Sequence, residues 1–190
     1  MHHKNHYFIA LAIPFPMKTE IMEKIHPLKE EFRFQRWVHP QDLHITLAFL
    51  GDASEQKLKL VSENTIDEID EFSSFSVSID HLGVFGNSSS PRIFWAGMLK
   101  SIALYELRER VYTAASKANF ELESRPFNPH VTLARKWEKS RMFDSSLLED
   151  NNPFNKEPLT FVAREVVLYK THLGKEPKYE AIASIPLMDK

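Results

Sequence analysis

The segment His44-Ile45-Thr46-Leu47-Ala48 occurs again later in the chain as His130-Val131-Thr132-Leu133-Ala134. The chain has nine histidines, so a single His-x-Thr triplet has little meaning by itself. A second copy, with the same Leu-Ala and a β-branched residue in the middle, is expected from composition in roughly one chain in thousands. The repeat therefore indicates an internal duplication of the chain.

Each copy has the alternation that is typical of a β-strand. Residues i and i+2 of a strand point to the same face, so His44 and Thr46 project together while Ile45 points into a core. His130 and Thr132 are arranged in the same way in the second copy. If the two halves pack about a pseudo-two-fold axis, both His-Thr pairs face one cleft.

Two imidazoles and two hydroxyls in one cleft suit an in-line attack at phosphorus. A neutral imidazole takes the proton of the attacking water, and an imidazolium protonates the leaving oxygen on the opposite side. The ordinary histidine pKa of about 6.5 allows both protonation states near neutral pH. Thr46 and Thr132 would donate hydrogen bonds to the non-bridging phosphate oxygens. The predicted catalytic residues are His44 and His130.

Two other interpretations of these residues are open. A lone His-x-Thr in a strand is usually structural, although the duplication weakens that interpretation. A metal site is also weaker, because each strand supplies one histidine and threonine is a poor ligand. His39 and Asp42 could add donors, but the spacing matches no familiar zinc motif. We therefore expect no metal and no cofactor.

The periodicity along the chain predicts an α+β fold. Several strands follow each other directly, which favours antiparallel pairing over a doubly wound parallel sheet. No linker divides the chain, so residues 1–190 are predicted to form a single domain. Ser54 and Ser101 are expected to cap two of the helices. Strands are predicted at His6–Ile13, Gln35–Val38, Leu43–Leu50, Phe75–Phe85, Arg92–Leu99, Phe120–Glu123, His130–Arg135, Leu159–Lys170 and Tyr179–Pro186, helices at Pro16–Phe32, Glu55–Ile69 and Ile102–Ala118, and a loop at Gly86–Pro91.

The composition excludes several classes of protein. The chain of 190 residues contains no cysteine, which excludes disulfides, thiolate metal sites and a cysteine nucleophile. Its formal net charge of −2 argues against a broad nucleic-acid-binding face, so an RNA substrate would be held by its end. No apolar run is long enough for a membrane span, and Met1 to Ile13 does not resemble a signal peptide. We expect a cytoplasmic protein.

The motifs resemble those of the 2H phosphoesterase superfamily, and specifically the RNA 2′,3′-cyclic phosphodiesterases, also called 2′-5′ RNA ligase-like proteins. The resemblance covers most of the chain. It rests on four segments, which are Phe8-Ile9-Ala10, the stretch from Arg36-Trp37-Val38 to Gly51, Pro91 to Gly97, and Phe127 to Arg135.

This resemblance implies a bilobal, duplicated α+β fold with antiparallel sheets lining a central groove and helices outside. It also implies cofactor-free hydrolysis of a 2′,3′-cyclic phosphate to a 2′-phosphomonoester. In that reaction His44 would be the general acid and His130 the base, and the pseudo-symmetry leaves the assignment of the two roles open. Phe49 would contact the base or sugar, and Arg135 would pair with phosphate.

The positions of Phe49 and Arg135 raise a geometric difficulty. Each lies five residues after its histidine, so strict alternation would turn it away from the cleft. The strand must end, bulge or twist before these residues if they are to contact a substrate.

Some functional alternatives also stay open. The same site could act on 2′-5′-linked oligonucleotides or join RNA ends, and a groove without turnover would make the chain a nucleotide-binding module. The expected substrates are RNA ends or small cyclic nucleotides, and a monomer without a membrane or obligate protein partner is expected. Trp95 could approach the groove but is interpreted as a core residue, and Arg125 could contact phosphate but is interpreted as solvated. His26, His81 and His172 are interpreted as surface or structural residues.

Overall fold

The strands of the protein pair antiparallel in one continuous sheet. The computed structural model describes residues 6–189. Residues 1–5, which belong to the segment Met1 to Ile13 that was compared with a signal peptide, lie outside this range. The strands are β1 (His6–Ala12), β2 (Phe34–Trp37), β3 (His44–Gly51), β4 (Phe75–Asn87), β5 (Ser90–Met98), β6 (His130–Trp137), β7 (Leu159–Ala163), β8 (Glu165–Thr171) and β9 (Tyr179–Pro186). The helices are α1 (Phe15–Ile25), α2 (Glu55–Ile69), α3 (Ile102–Lys117) and the short α4 (Leu147–Asp150).

The order of the strands shows the duplication that the repeat predicts. The sheet runs β7-β4-β5-β6-β3-β1-β8-β9, and β2 pairs with β6 outside this path. The two motif strands, β3 and β6, are neighbours at the centre, and Ile45 and Val131 are their paired residues. Counting outward from this pair, β1 corresponds to β5 and β8 to β4. The predicted α+β fold is confirmed, with both halves joined in one sheet.

Different side chains pack on the two halves of the sheet. Val61 and Thr65 of α2 pack near Ile9 and Val166, on the half formed by β1, β3, β8 and β9. On the other half, the ring of Phe32 stacks on Phe94 of β5 with 4.6 Å between centroids.

Both predicted helix caps are confirmed, since the hydroxyl oxygens of Ser54 and Ser101 accept backbone N–H bonds at 3.3 Å. No helix within residues 6–189 combines the length and apolarity needed to cross a membrane.

Three of the predicted elements are wrong, and a fourth, the first helix, is shorter than predicted. Phe120–Glu123 is not a strand, because the chain returns there to the sheet along α3 without a pairing partner. Gly86–Pro91 is mostly strand, since β4 and β5 continue into a tight hairpin with its turn at residues 88–89. Leu159–Lys170 contains two strands that separate at Arg164 and pair with β4 and β1 respectively. The helix predicted at Pro16–Phe32 ends at Ile25 and continues as a 3₁₀ turn with Pro27 inside it.

The central strand pair gives a test of the fold. Ile45 is fully buried at the only paired position between β3 and β6 that the described residues show. We expect Ile45→Ala to lower the free energy of unfolding by about 2–5 kcal/mol, through lost burial and a cavity that both halves line. Ile182→Ala is the matched control, because Ile182 is 41% exposed on β9. Urea denaturation measures the free energy of unfolding of both variants. An equal decrease in Ile45→Ala and Ile182→Ala would contradict a structural role for the central pair.

Candidate active site

The ring of His44 is held by two hydrogen bonds at the start of β3. Its Nδ1 lies 2.7 Å from the carbonyl oxygen of Asp42, and its Nε2 lies 3.1 Å from the hydroxyl of Thr46. A carbonyl oxygen only accepts hydrogen bonds, so Nδ1 carries the proton. In the neutral ring Nε2 is therefore an acceptor, and the hydroxyl of Thr46 donates to it.

His130 is held in the same way at the start of β6. Its Nδ1 lies 2.8 Å from the carbonyl oxygen of Asn128, so Nδ1 again donates. In both copies the carbonyl that fixes the ring belongs to the residue two positions before the histidine. The duplication thus includes the bond that sets the tautomer, and it leaves Nε2 of both rings as the nitrogen that can exchange a proton with a ligand.

The pairing of β3 with β6 brings residues of both copies together. Because Ile45 is opposite Val131 in an antiparallel pair, His44 is placed opposite Thr132 and His130 opposite Thr46. One pocket is lined by residues from both copies and from two other segments, namely Val38, Asp42, His44, Thr132, Arg135 and Tyr179. His44 and Thr132, one residue of each predicted pair, therefore line one pocket, and the register places His130 and Thr46 opposite each other on the same two strands.

Two matching β-bulges return Phe49 and Arg135 to the groove. The register between β1 and β3 shifts by one residue between Thr46 and Ala48, and the register between β5 and β6 shifts in the same way between Thr132 and Ala134. Each bulge lets two successive residues point into the core and reverses the alternation that follows. Phe49 is 57% exposed, and Arg135 lines the same pocket as His44. The geometric requirement set by the sequence is met.

Aromatic rings surround His44 on the side away from β6. The centroid of its ring lies 4.8 Å from that of Phe8, 5.9 Å from Tyr169 and 5.2 Å from Tyr179. The ring of Phe49 extends this cluster and lies 6.1 Å from Phe8. Sequence reasoning missed Tyr169 and Tyr179, because they lie on the β8–β9 hairpin, which carries no copy of the repeat.

His130 has a different aromatic neighbourhood. Its ring centroid lies 4.9 Å from Phe85 and 6.0 Å from Trp95. The indole lies across two glycines, since a Cβ atom would meet it at 2.2 Å on Gly83 and at 2.7 Å on Gly97. These glycines let Trp95 lie flat on the sheet beside His130. Trp95 is buried, as predicted, but it contacts the site as well.

His81 also lies on this side of the sheet. Its ring is 5.5 Å from that of Trp95, and its Nδ1 is 2.5 Å from a carboxylate oxygen of Asp80. His81 pairs with Gly97 on β5, which in turn pairs with His130. His81 is exposed, in agreement with its interpretation as a surface residue, and the register of β4 additionally places it beside the site. Arg125 is solvated as predicted and contacts Glu123.

Asp42 connects His44 to the β8–β9 hairpin. Its carboxylate is buried and accepts hydrogen bonds from the backbone N–H groups of Lys178 and Tyr179, at 2.9 and 3.0 Å. Its carbonyl oxygen accepts the bond from His44. One residue thus fixes both the histidine ring and the start of the strand that carries Tyr179. Within residues 6–189, His, Asp and Glu side chains form no group of three that could hold a metal ion.

Burial lowers the pKa of both histidines. For His44 the pKa falls to about 4, because burial outweighs the hydrogen bond to Asp42 and the charges of Lys18, His130 and Arg135 lower it further. For His130 burial is again the main cause of the lowered pKa, and Arg135 adds to it. Both rings are therefore neutral at neutral pH while no anion is bound. A bound phosphate would offset the nearby positive charges and make protonation of His44 easier.

Several known proteins are similar to this chain in sequence. The family model for LigT like phosphoesterase matches residues 15–95 and 100–179. An RNA 2′,3′-cyclic phosphodiesterase of Geobacillus stearothermophilus is 39% identical over 97% of this chain, which spans 58% of the length of that relative. An RNA 2′,3′-cyclic phosphodiesterase of Bacillus subtilis is 36% identical over 96% of both chains.

Solved structures are similar over nearly the whole chain. Escherichia coli LigT complexed with 3′-AMP matches with a TM-score of 0.73 and 22% identity, and the match covers 97% of this chain and 98% of the other. A protein of Thermus thermophilus matches with a TM-score of 0.72 and 22% identity, over 96% and 97% of the two chains. At this identity the likeness establishes a shared fold.

The titration of His44 tests the electrostatics of the site. We expect its ring to titrate with a pKa of about 4 in phosphate-free buffer and at higher pH with saturating inorganic phosphate, because the anion favours the charged ring. Proton NMR of the ring measures both values, and the spectrum of His44→Gln assigns the signal. The exposed His26 ring is the internal control for general salt effects. A His44 titration that phosphate does not move would contradict an anion site at Nε2.

Removal of the Asp42 carboxylate tests its structural role. We expect Asp42→Ala to lower the free energy of unfolding by about 2 kcal/mol or more, because the backbone N–H groups of Lys178 and Tyr179 lose their acceptor. Asp42→Asn keeps one acceptor oxygen and should lose less. Asp52→Ala is the control, since Asp52 is exposed. Urea denaturation of the three variants gives the comparison, and equal stability of Asp42→Ala and Asp52→Ala would rule out the connection.

Proposed function

The chain belongs to the LigT-like phosphoesterase family, and we propose that it hydrolyses the 2′,3′-cyclic phosphate of an RNA end or small nucleotide to a 2′-phosphomonoester. The observation that carries the proposal is the pair of histidines fixed in the same tautomer on neighbouring strands. The names of the relatives from Geobacillus stearothermophilus and Bacillus subtilis support the cyclic phosphate as substrate.

The reaction exchanges one P–O bond for another. A water molecule attacks phosphorus and gives its proton to Nε2 of His130, while the bond between phosphorus and the 3′-oxygen breaks. Nε2 of His44 donates its proton to that oxygen, so the phosphate remains on the 2′-oxygen. After release of the product, His130 gives the proton that it gained to solvent, and His44 takes up a new proton from solvent. No metal or other cofactor takes part in this scheme.

Three side chains are proposed to hold the phosphate, and a fourth its sugar or base. The hydroxyls of Thr46 and Thr132 donate to non-bridging oxygens, whose charge grows as the water attacks. Thr46 is free to do so once His44 is protonated, because its hydroxyl no longer donates to Nε2. Arg135 supplies a charged donor in the same pocket. Phe49 is exposed beside Phe8 and offers a face for the sugar or base.

The assignment of His44 as acid is supported by its surroundings. Burial is the main cause of the low pKa of His44 in the free protein, and the charges of Lys18, His130 and Arg135 lower it further. A substrate phosphate reduces the effect of these charges, so His44 gains a proton as the substrate binds. A protonated His44 then repels a second proton from His130, which favours the neutral, basic form of that ring.

We also propose the setting in which this reaction occurs. Residues 1–190 act as one domain, because the two halves share the site between β3 and β6. A monomer is sufficient, since both histidines come from one chain. The absence of cysteine fits a reducing cytoplasm, and no membrane or obligate protein partner is required for the proposed reaction.

The proposed reaction is tested with a short RNA that ends in a 2′,3′-cyclic phosphate, in excess EDTA. We expect wild type to release a 2′-phosphate, and His44→Ala and His130→Ala each to reduce kcat by about 10²–10⁴-fold, as loss of a general acid or base does. His26→Ala is the control, because His26 is exposed. Tight binding without turnover by wild type would instead indicate a nucleotide-binding module, and loss of turnover in EDTA a metal enzyme.

A second substrate separates the roles of the two histidines. A p-nitrophenyl phosphodiester of a nucleotide has a leaving group that departs without a proton, so it does not need a general acid. We expect this substrate to restore much of the turnover of His44→Ala and little of that of His130→Ala. The opposite result would exchange the roles of acid and base.

A further inference from the structure

A third histidine lies on the groove side of the sheet, next to His130. His81 of β4 pairs with Gly97 of β5, and Gly97 pairs with His130 of β6. Residues that are opposite each other on paired strands point to the same face of the sheet. The side chains of His81 and His130 therefore share the face that forms the groove. The reaction proposed above gives no role to His81.

Gly97 lets the ring of His81 reach across β5. A Cβ atom on Gly97 would lie 2.2 Å from Nε2 of His81, so this nitrogen occupies the space in which a side chain at position 97 would stand. Because the Cβ atoms of opposite residues are about 5 Å apart, Nε2 of His81 is displaced by one strand towards His130. Both rings also lie against the same indole, at 5.5 Å and 6.0 Å from the ring of Trp95.

A β-bulge places a carboxylate beside the ring of His81. The register between β4 and β5 shifts between Ile79 and His81, so Asp80 is the extra residue and leaves the strict alternation of the strand. A carboxylate oxygen of Asp80 lies 2.5 Å from Nδ1 of His81. The backbone of the bulge is fixed as well, because the carbonyl oxygen of Asp80 accepts a hydrogen bond from the side-chain amide of Asn152 at 2.9 Å.

Asp80 sets the tautomer of His81. An ionised carboxylate only accepts hydrogen bonds, so Nδ1 of His81 carries the proton. In the neutral ring Nε2 is then an acceptor and cannot donate to a phosphate oxygen. A ligand of this nitrogen must be a hydrogen-bond donor, and the proposed reaction includes one such molecule, the attacking water.

The attacking water approaches from the side of the sheet on which His81 lies. In an in-line displacement the attacking oxygen is opposite to the leaving oxygen. His44 on β3 serves the leaving oxygen, so the water lies beyond it in the direction of β6, β5 and β4. Nε2 of His130 accepts one hydrogen of this water. The aromatic neighbours of His130, Phe85 and Trp95, have no acceptor atom for the second hydrogen.

We infer that Nε2 of His81 accepts the second hydrogen of the attacking water and positions it for the reaction. The inference rests on the proposed function and adds a residue to it. With both hydrogens bound, a lone pair of the water oxygen is left for phosphorus. As the new P–O bond forms and the bond to the 3′-oxygen breaks, one proton passes to His130. The other hydrogen stays on the new phosphate oxygen beside His81.

Methanol as a competing nucleophile tests this role. Methanol has one hydroxyl hydrogen, which His130 accepts, so its attack needs no second acceptor. In a mixture of water and methanol, wild type should form the 2′-phosphate by hydrolysis and its methyl ester by methanolysis. His81→Ala and His81→Phe should each lower the ratio of the two products by about three- to tenfold, the effect of one hydrogen bond. Mass spectrometry gives this ratio from a single reaction, so the fraction of folded protein does not affect it.

Further variants separate the acceptor from the shape of the ring. His81→Phe keeps a ring without an acceptor, whereas His81→Gln keeps an acceptor oxygen and should retain more of the wild-type ratio. Asp80→Ala releases the tautomer and should lower the ratio in the same direction. His172→Ala is the matched control, because His172 is also paired with a carboxylate, that of Glu180, but on the β8–β9 hairpin at the opposite end of the sheet. It should keep the wild-type ratio.

The inference and the proposed reaction fail in different ways. An unchanged product ratio in His81→Ala and His81→Phe, at any overall rate, would overturn the inference and leave the proposed reaction in place. Absence of turnover by wild type would reject the proposed reaction and the inference with it. Nitrogen-15 NMR of the wild-type protein is an independent check, since a neutral His81 ring that carries its proton on Nε2 would also overturn the inference.

Discussion

The site depends on one point of contact between two strands. Ile45 of β3 and Val131 of β6 are the paired residues that join the two halves of the sheet. Because this pair lies next to both histidines in the sequence, the contact that fuses the halves also fixes the relative position of His44 and His130. Both paired residues are fully buried in the core. Stability of the fold and geometry of the candidate site thus rest on the same register.

The parts of the structure that follow from the repeat could be predicted. Strand alternation placed His44 and Thr46 on the side opposite to Ile45, and the structure agrees. The need for a bulge before Phe49 and Arg135 was also clear from the sequence, because five residues is an odd separation. The location of the bulge, at the Leu-Ala step of each copy, became known only from the register with β1 and β5.

The parts outside the repeat could not be predicted from local patterns. The backbone N–H of Tyr179 donates a hydrogen bond to the carboxylate of Asp42, which is 137 positions away in the chain. His81 looks isolated in the sequence and gains its neighbours from the pairing of β4 with β5. The strand predicted at Leu159–Lys170 divides at Arg164, since its two parts pair with opposite ends of the sheet. In each case the missing information was a long-range pairing.

The two halves have kept the histidines and diverged in almost everything around them. One half surrounds His44 with Phe8, Tyr169 and Tyr179, whereas the other places Phe85 and Trp95 beside His130. The residue that follows each bulge is Phe49 in one half and Arg135 in the other. A symmetric site would bind a substrate in two orientations and exchange the roles of the histidines. For the reaction proposed above, an apolar side for sugar and base and a cationic side for phosphate would remove this ambiguity, so the divergence of the halves would give the groove a direction.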